Sequence, residues 1–275
     1  MHAGNIQFGL SDIPELLSKL NRQIVSESNN GYRQIGANII NDLIAGRFSD
    51  ELPSPGQLPS EADLRLFFSR LSESKFGPFP PTEIPNLDQI YAPRRESSPN
   101  NQFLNYFLSK LNDVISVIKN IEGYADSFVS KCNRYLGSAE QFELSNEYNR
   151  PKSRIIDAKE LIIDKSDLSV VIRSLFSKID VPLDSLSSGE KQMVSLFAKM
   201  YLQPTKKIVL IDEPELSLSI DWQSHILPDI MMAPSCAQLI AITHSPFVFE
   251  NQLEPFARPM KLQLKSPEGD SRTLF

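Results

Sequence analysis

Asp212 and Glu213 close a run of four apolar residues, Ile208-Val209-Leu210-Ile211, and Pro214 follows at once. Such a strand delivers two adjacent carboxylates at its C-terminal end, the edge where open α/β sheets bind ligands. One carboxylate there can orient a divalent cation through its water shell, and the next can polarise an attacking water. Thr243-His244 closes a second apolar run, so an imidazole can reach the same edge and donate a hydrogen bond to an anionic oxygen. Leu186-Ser187-Ser188-Gly189-Glu190-Lys191-Gln192 precedes a helical stripe of Met193, Val194, Phe197, Met200 and Tyr201. Serine can cap that helix, and glycine lets a ligand approach the backbone. The free N–H groups and the helix dipole then make an anion site. Taken singly, each segment also fits a plain reading: a solvated strand end, a surface histidine, an ordinary helix cap. Of the other two histidines, His2 lies in the N-terminal tail and His225 within a helix.

Positioning these residues requires alternating strands and helices. The pattern reads as helix 190–202, strand 207–212, helix 220–230, strand 238–243, a short helix after Ser245 and a last strand near 260–264. That alternation predicts a mostly parallel, buried sheet. Ahead of it, 160–164 and 169–173 are β-type runs separated by Lys165-Ser166-Asp167, and a short segment at 180–183 leads into Leu186. The N-terminal half is helical instead. A helix over 12–26, with Asp12 as cap and Glu15 completing a capping box, buries Ile13, Leu16, Leu17, Leu20 and Ile24. A second helical run passes through Ile35, Ile39, Leu43 and Ile44 and stops at Gly46. Ser60 with Asp63 opens a short helix striped by Leu64, Phe67, Phe68 and Leu71. Nine of the 20 prolines fall between residues 53 and 99, which excludes a sheet core there and predicts a loop-rich excursion. From 103 to 136 the spacing is helical again, as one projecting helix or as two joined near Gly123.

A net charge of −6 gives the 275-residue chain no bulk basic character to hold nucleic acid, although a local patch is compatible with it. Cys132 and Cys236 are too few and too far apart for a disulfide framework or a zinc cluster, and they read as small core residues. With no signal peptide and no apolar run of membrane length, a cytoplasmic location is expected.

In this order the three segments resemble the signature, Walker B and switch-histidine motifs of ABC-type AAA ATPases. The likeness is to the soluble RecF/SMC/OLD-like class, not to transporter subunits. Leu-Ser-Ser-Gly-Glu-Lys-Gln at 186–192 resembles chromosome-maintenance and repair members. The runs at 212–218 and 243–249 resemble prokaryotic relatives in anti-phage and overcoming-lysogenization proteins. The motif-bearing match covers about 155–264, and Phe8-Gly9-Leu10-Ser11-Asp12-Ile13 is similar to a segment that precedes the helical insertion of this class. The resemblance implies an α/β fold class, a partial P-loop NTPase lobe with a mostly helical insertion. Residues 1–150 would be the insertion and 151–275 the C-terminal subdomain. It also implies ATP and Mg²⁺ as ligands: Asp212 for the metal, Glu213 for the attacking water and His244 for the γ-phosphate. Ser187, Ser188, Gly189 and Glu190 would complete the site of an opposite subunit.

Two departures stand out. Ser219 occupies a position where repair relatives often carry aspartate, and no G-x-x-x-x-G-K-[ST] phosphate loop occurs in residues 1–275. The expected function is therefore ATP hydrolysis that depends on a Walker A-containing half, in DNA repair or anti-phage defence. Such a half would come from a longer form of this protein, the preferred reading, or from another polypeptide. A homodimer, a nuclease partner or DNA are the partners the resemblance suggests, and no membrane. The alternative from another class is a non-catalytic interaction module that docks on a complete ATPase or nuclease.

Overall fold

Apolar residues at helical spacing build two long helices, α1 (Asp12–Ile44) and α4 (Pro99–Leu136), with the shorter α2 (Glu61–Ser72) and α3 (Leu87–Ile90) between them. The computed structural model describes residues 10–46, 58–72, 85–90, 99–137, 158–260, 262–265 and 271–274. Phe8 and Gly9 of the N-terminal resemblance lie outside these described residues, as do Pro78, Pro80 and Pro81 of the proline-rich stretch. The chain divides into two compact units, Met1–Thr205 and Lys206–Phe275.

In the first unit, α1 is continuous where two separate helical runs are expected. Polar residues in its middle turn back onto the helix instead of breaking it: Ser28 Oγ donates to the Ile24 carbonyl at 2.7 Å and Asn29 Nδ2 to the Val25 carbonyl at 2.8 Å. The capping box read from Asp12 and Glu15 is also absent. Ser11 holds the N-cap position without a side-chain cap bond, and Asp12 lies inside the helix, paired with Lys199 at 2.9 Å. The Ser60 cap of α2 does form, with the Asp63 N–H donating to Ser60 Oγ at 3.2 Å. Helix α4 runs unbroken through Gly123, which settles the choice between one helix and two.

Glycines in α1 have opposite meanings. A Cβ on Gly31 would stand 2.4 Å and 2.9 Å from the two methyls of Val114 on α4, so the glycine permits a close helix–helix approach. A Cβ on Gly36 would meet open space. Gly31→Ala is expected to destabilise by about 1–3 kcal/mol through overpacking against a stiff β-branched neighbour, outweighing the gain in helix propensity. Gly36→Ala should instead stabilise by about 1 kcal/mol. Urea unfolding of both variants, with Gly31→Ala rescued by Val114→Ala, checks the assignment. Equal effects at the two glycines would remove the close approach.

The antiparallel strands β1 (Lys159–Ile163), β2 (Val170–Ser174) and β3 (Asp180–Val181) follow, with buried Leu161 opposite buried Ile172. The open edge of β1 is closed by a side chain. Asn133 on α4 donates to the Leu161 carbonyl at 2.9 Å and accepts from the Leu161 N–H at 2.7 Å, as a neighbouring strand would. Helix α5 (Ser188–Tyr201) completes this unit; its Phe197 packs on Tyr135 at 5.2 Å between ring centroids.

The second unit holds β4 (Lys207–Asp212), α6 (Ile220–Met231) and β5 (Cys236–Ile242). Two 3-10 turns follow, and then the antiparallel pair β6 (Leu262–Lys265) and β7 (Ser271–Leu274). The expected mostly parallel, buried sheet is corrected here. Among the described residues the only parallel pair is β4–β5, and it is half open. Val209 is buried, whereas Leu210 is 71% exposed and Ile208, Ile240 and Ile242 are exposed too. The pleat explains this: Ile208, Leu210 and Asp212 share one face of β4, and the register sets them beside Gln238, Ile240 and Ile242 of β5. Among the described residues of the second unit no further layer covers that face.

Cys132 is buried and Cys236 half-buried, both as free thiols. No helix among the described residues is long and apolar enough to cross a membrane.

Candidate functional site

Parallel pairing of β4 with β5 brings two of the three motifs to one edge. Asp212 is the register partner of Ile242, so the chain leaves both strands at the same level, into Glu213 on one side and Thr243-His244 on the other. The two exits are tied by the Glu213 N–H, which donates to the Ile242 carbonyl at 2.8 Å. Glu213 itself adopts φ 49°, in the left-handed region. Pro214 disfavours the right-handed helical conformation at the residue before it, and the tight exit turn closes with the Leu216 N–H on the Glu213 carbonyl at 3.1 Å. A non-glycine residue there carries about 1–2 kcal/mol of backbone strain, the kind of cost that clusters at functional positions.

The side chains of Asp212 and His244 are exposed, and that of Glu213 is half-exposed. The backbone of His244 is held firmly by a residue to which sequence reasoning assigned no role. Glu215 Oε1 accepts the His244 N–H at 3.0 Å and the Ser245 N–H at 3.2 Å, while Oε2 accepts the Thr243 hydroxyl at 2.8 Å. Burial works against ionisation of Glu215, but its own backbone N–H, together with these three donors, outweighs that and holds the carboxyl below its ordinary range. Ser245 Oγ donates in turn to Gln223 Oε1 at 2.6 Å, and Gln223 Nε2 donates to the Leu218 carbonyl at 3.2 Å. Only the strand pairing brings Glu215 to Thr243, and no spacing in the sequence announces it.

The signature segment belongs to the first unit. Ser187 is the N-cap of α5, and a capping box forms: the Glu190 N–H donates to Ser187 Oγ at 3.3 Å, and the Ser187 N–H donates to Glu190 Oε2 at 2.6 Å. Ser187 and Ser188 are exposed and Gly189 is buried. The N–H groups of Ser188 and Gly189, in the first helical turn, have no intrahelical acceptor. The carboxylate of Glu190 is committed within the fold, since Lys159 Nζ lies 2.9 Å and 3.1 Å from its two oxygens. Lys159, on β1, is a second residue that sequence reasoning missed.

The donor set bears on the divalent cation. No group of three or more His, Cys, Asp or Glu among the described residues could hold a metal ion. Mg²⁺ is commonly held by one or two carboxylates, its own waters and substrate phosphates, so a lone exposed Asp212 fits that ion and not a dedicated protein cage.

The family profile described as “AAA domain, putative AbiEii toxin, Type IV TA system” matches residues 38–250. The chain belongs to this AAA family, whose nucleotide-binding, ATPase-like character agrees with a mixed α/β architecture of small sheets beside a helical region. No curated protein matches it.

Proposed function

We propose that this chain is the signature, Walker B and switch-histidine part of an ABC-type ATPase lobe of the soluble RecF/SMC/OLD-like class, and that it turns over ATP only with a Walker A-containing half. The observation that carries this reading is the single edge at which Asp212, Glu213 and His244 leave a parallel strand pair. In the proposal, Asp212 holds Mg²⁺ through its water shell, which would supply charge neutralisation at the phosphates. Glu213 orients and polarises the attacking water, and His244 donates to the γ-phosphate from a backbone already fixed by Glu215. Ser187, Ser188 and Gly189 offer hydroxyls and free amides to the nucleotide of a partner lobe, and Glu190 fixes their loop through its cap and Lys159.

The need for a second half has support from the fold as well. Leu210, Ile208, Ile240 and Ile242 form an apolar sheet face that proteins normally cover. The occupant that fits it is the strand-bearing half that carries the phosphate loop. We further propose a cytoplasmic setting, a dimer of complete lobes, and an output in DNA repair or anti-phage defence. We propose residues 1–150 as the helical insertion and 151–275 as the ATPase subdomain.

The purified chain alone should hydrolyse ATP negligibly and gain activity when a polypeptide bearing G-x-x-x-x-G-K-[ST] is supplied. Robust turnover by the chain alone, abolished by Glu213→Gln, would show that the account of the missing half is wrong. Saturable docking on a complete ATPase without any turnover would instead favour the interaction module.

A further inference from the structure

We propose that Glu215 is the positioning residue of this edge: its carboxylate fixes the His244 segment to the exit of β4 and so sets where the imidazole points relative to Glu213. This rests on the ATPase reading, since it matters only if His244 meets a phosphate oxygen. Three consecutive residues, Thr243, His244 and Ser245, each give one donor to the same carboxylate, at 2.8 Å, 3.0 Å and 3.2 Å. A second brace reaches the segment from α6, because Ser245 Oγ donates to Gln223 and Gln223 donates to the Leu218 carbonyl. Thr243 Oγ1 also accepts the Ser245 N–H at 3.0 Å, closing the turn on itself. Main chain on both sides of the His244 Cα is thereby satisfied by side chains, while the imidazole is left exposed.

The chemistry of the brace explains the residue type. Only an ionised carboxylate can accept all three donors at once, because an amide in its place offers one acceptor oxygen and turns its NH₂ toward a hydroxyl. Glutamate reaches this loop across Pro214, and Ser217 at φ 64° completes the turn that follows. The brace joins two motifs that are distant in sequence, so a change at one strand exit is carried to the other through hydrogen bonds rather than through the core. Misplacement of a catalytic group by about 1 Å can cost 10²-fold in rate, which sets the scale expected on cutting the brace.

The test uses the full chain assembled with its Walker A-bearing half. Glu215→Ala should lower kcat by roughly 10–100-fold while KM for ATP stays within about twofold, and Glu215→Gln should fall between it and wild type. Amide hydrogen exchange on the same variants supplies a readout apart from activity. In Glu215→Ala the His244 and Ser245 amides should exchange at least about tenfold faster, with the β4 amides of Val209–Ile211 unchanged. Glu213→Gln serves as the control for the underlying reading. If that control leaves turnover unchanged, the ATPase reading fails, whatever Glu215 does. If it removes turnover while Glu215→Ala keeps kcat within about twofold, the positioning proposal alone is overturned. Loss of protection spreading through β4 in Glu215→Ala would also overturn it, because Glu215 would then be holding up the unit and not the histidine.

Discussion

Glu213→Gln in the assembled ATPase is expected to bind nucleotide as the wild type does and to lose roughly 10²–10⁴-fold in turnover. The amide keeps the size of the side chain and removes the charge that polarises water, so the defect should fall on kcat. The local backbone should survive the change. The bonds that hold residue 213 at φ 49° run from its own N–H to Ile242 and from Leu216 to its carbonyl, and neither uses the carboxylate. Less negative charge beside the γ-phosphate should also lengthen the lifetime of the ATP-bound state. Single-turnover and steady-state rates, with nucleotide affinity measured alongside, separate these terms. Unchanged hydrolysis would remove Glu213 from the catalytic role and leave its strained backbone unexplained.

The largest expected loss of stability belongs to the first unit. Arg70 on α2 is 3% exposed in its side chain and pairs with Glu122 on α4, 12% exposed, while its second terminal nitrogen donates to the carbonyl of Lys165 in the β1–β2 turn. One guanidinium therefore joins two helices and the first sheet. Arg70→Met should cost at most about 3–5 kcal/mol, mainly because the half-buried Glu122 would lose its partner charge. Among the described residues Arg70 Nε has no acceptor, so the pair is not at its most favourable, and an apolar replacement of both partners should be tolerated. Urea unfolding should therefore find Arg70→Met with Glu122→Leu closer to wild type than Arg70→Met alone. A double variant as unstable as the single one would show that packing around the Arg70 stem, rather than the orphaned carboxylate, carries the effect.

Local features were the legible ones. The four-residue apolar run before Asp212 fixes β4 at 207–212, and the serine cap marks the start of α5 to within two residues, because strand runs and serine caps are written locally. The box read at Asp12 and Glu15 fails because Asp12 pairs with distant Lys199. What the sequence hid depends on contacts between distant residues. Gly31 looks like a helix weakener until Val114 is seen against it. Asn133 closes a strand edge that begins 26 residues later, and Arg70 reaches a turn near Lys165. The half-open face of β4 escaped because an apolar run reads as buried whether or not a layer covers it. The exits of β4 and β5 were placed at one edge from their acids and histidine, whereas the Glu215 brace between them required the actual register.

The measurement that bears most directly on the central claim is complementation between two defective assemblies. One carries Ser188→Arg, at an exposed position of the first α5 turn, where bulk and an internal cation would fill the anion site with little cost to the fold. The other carries a phosphate loop without its lysine, in the half that supplies it. If Ser187, Ser188 and Gly189 act on nucleotide held by the opposite lobe, a mixed dimer has one site with both defects and one with neither. ATP turnover should then rise above that of either parent on mixing. Equal inactivity at every mixing ratio, with mixed dimers shown to form, would contradict a signature that works across an interface and with it the composite ATPase.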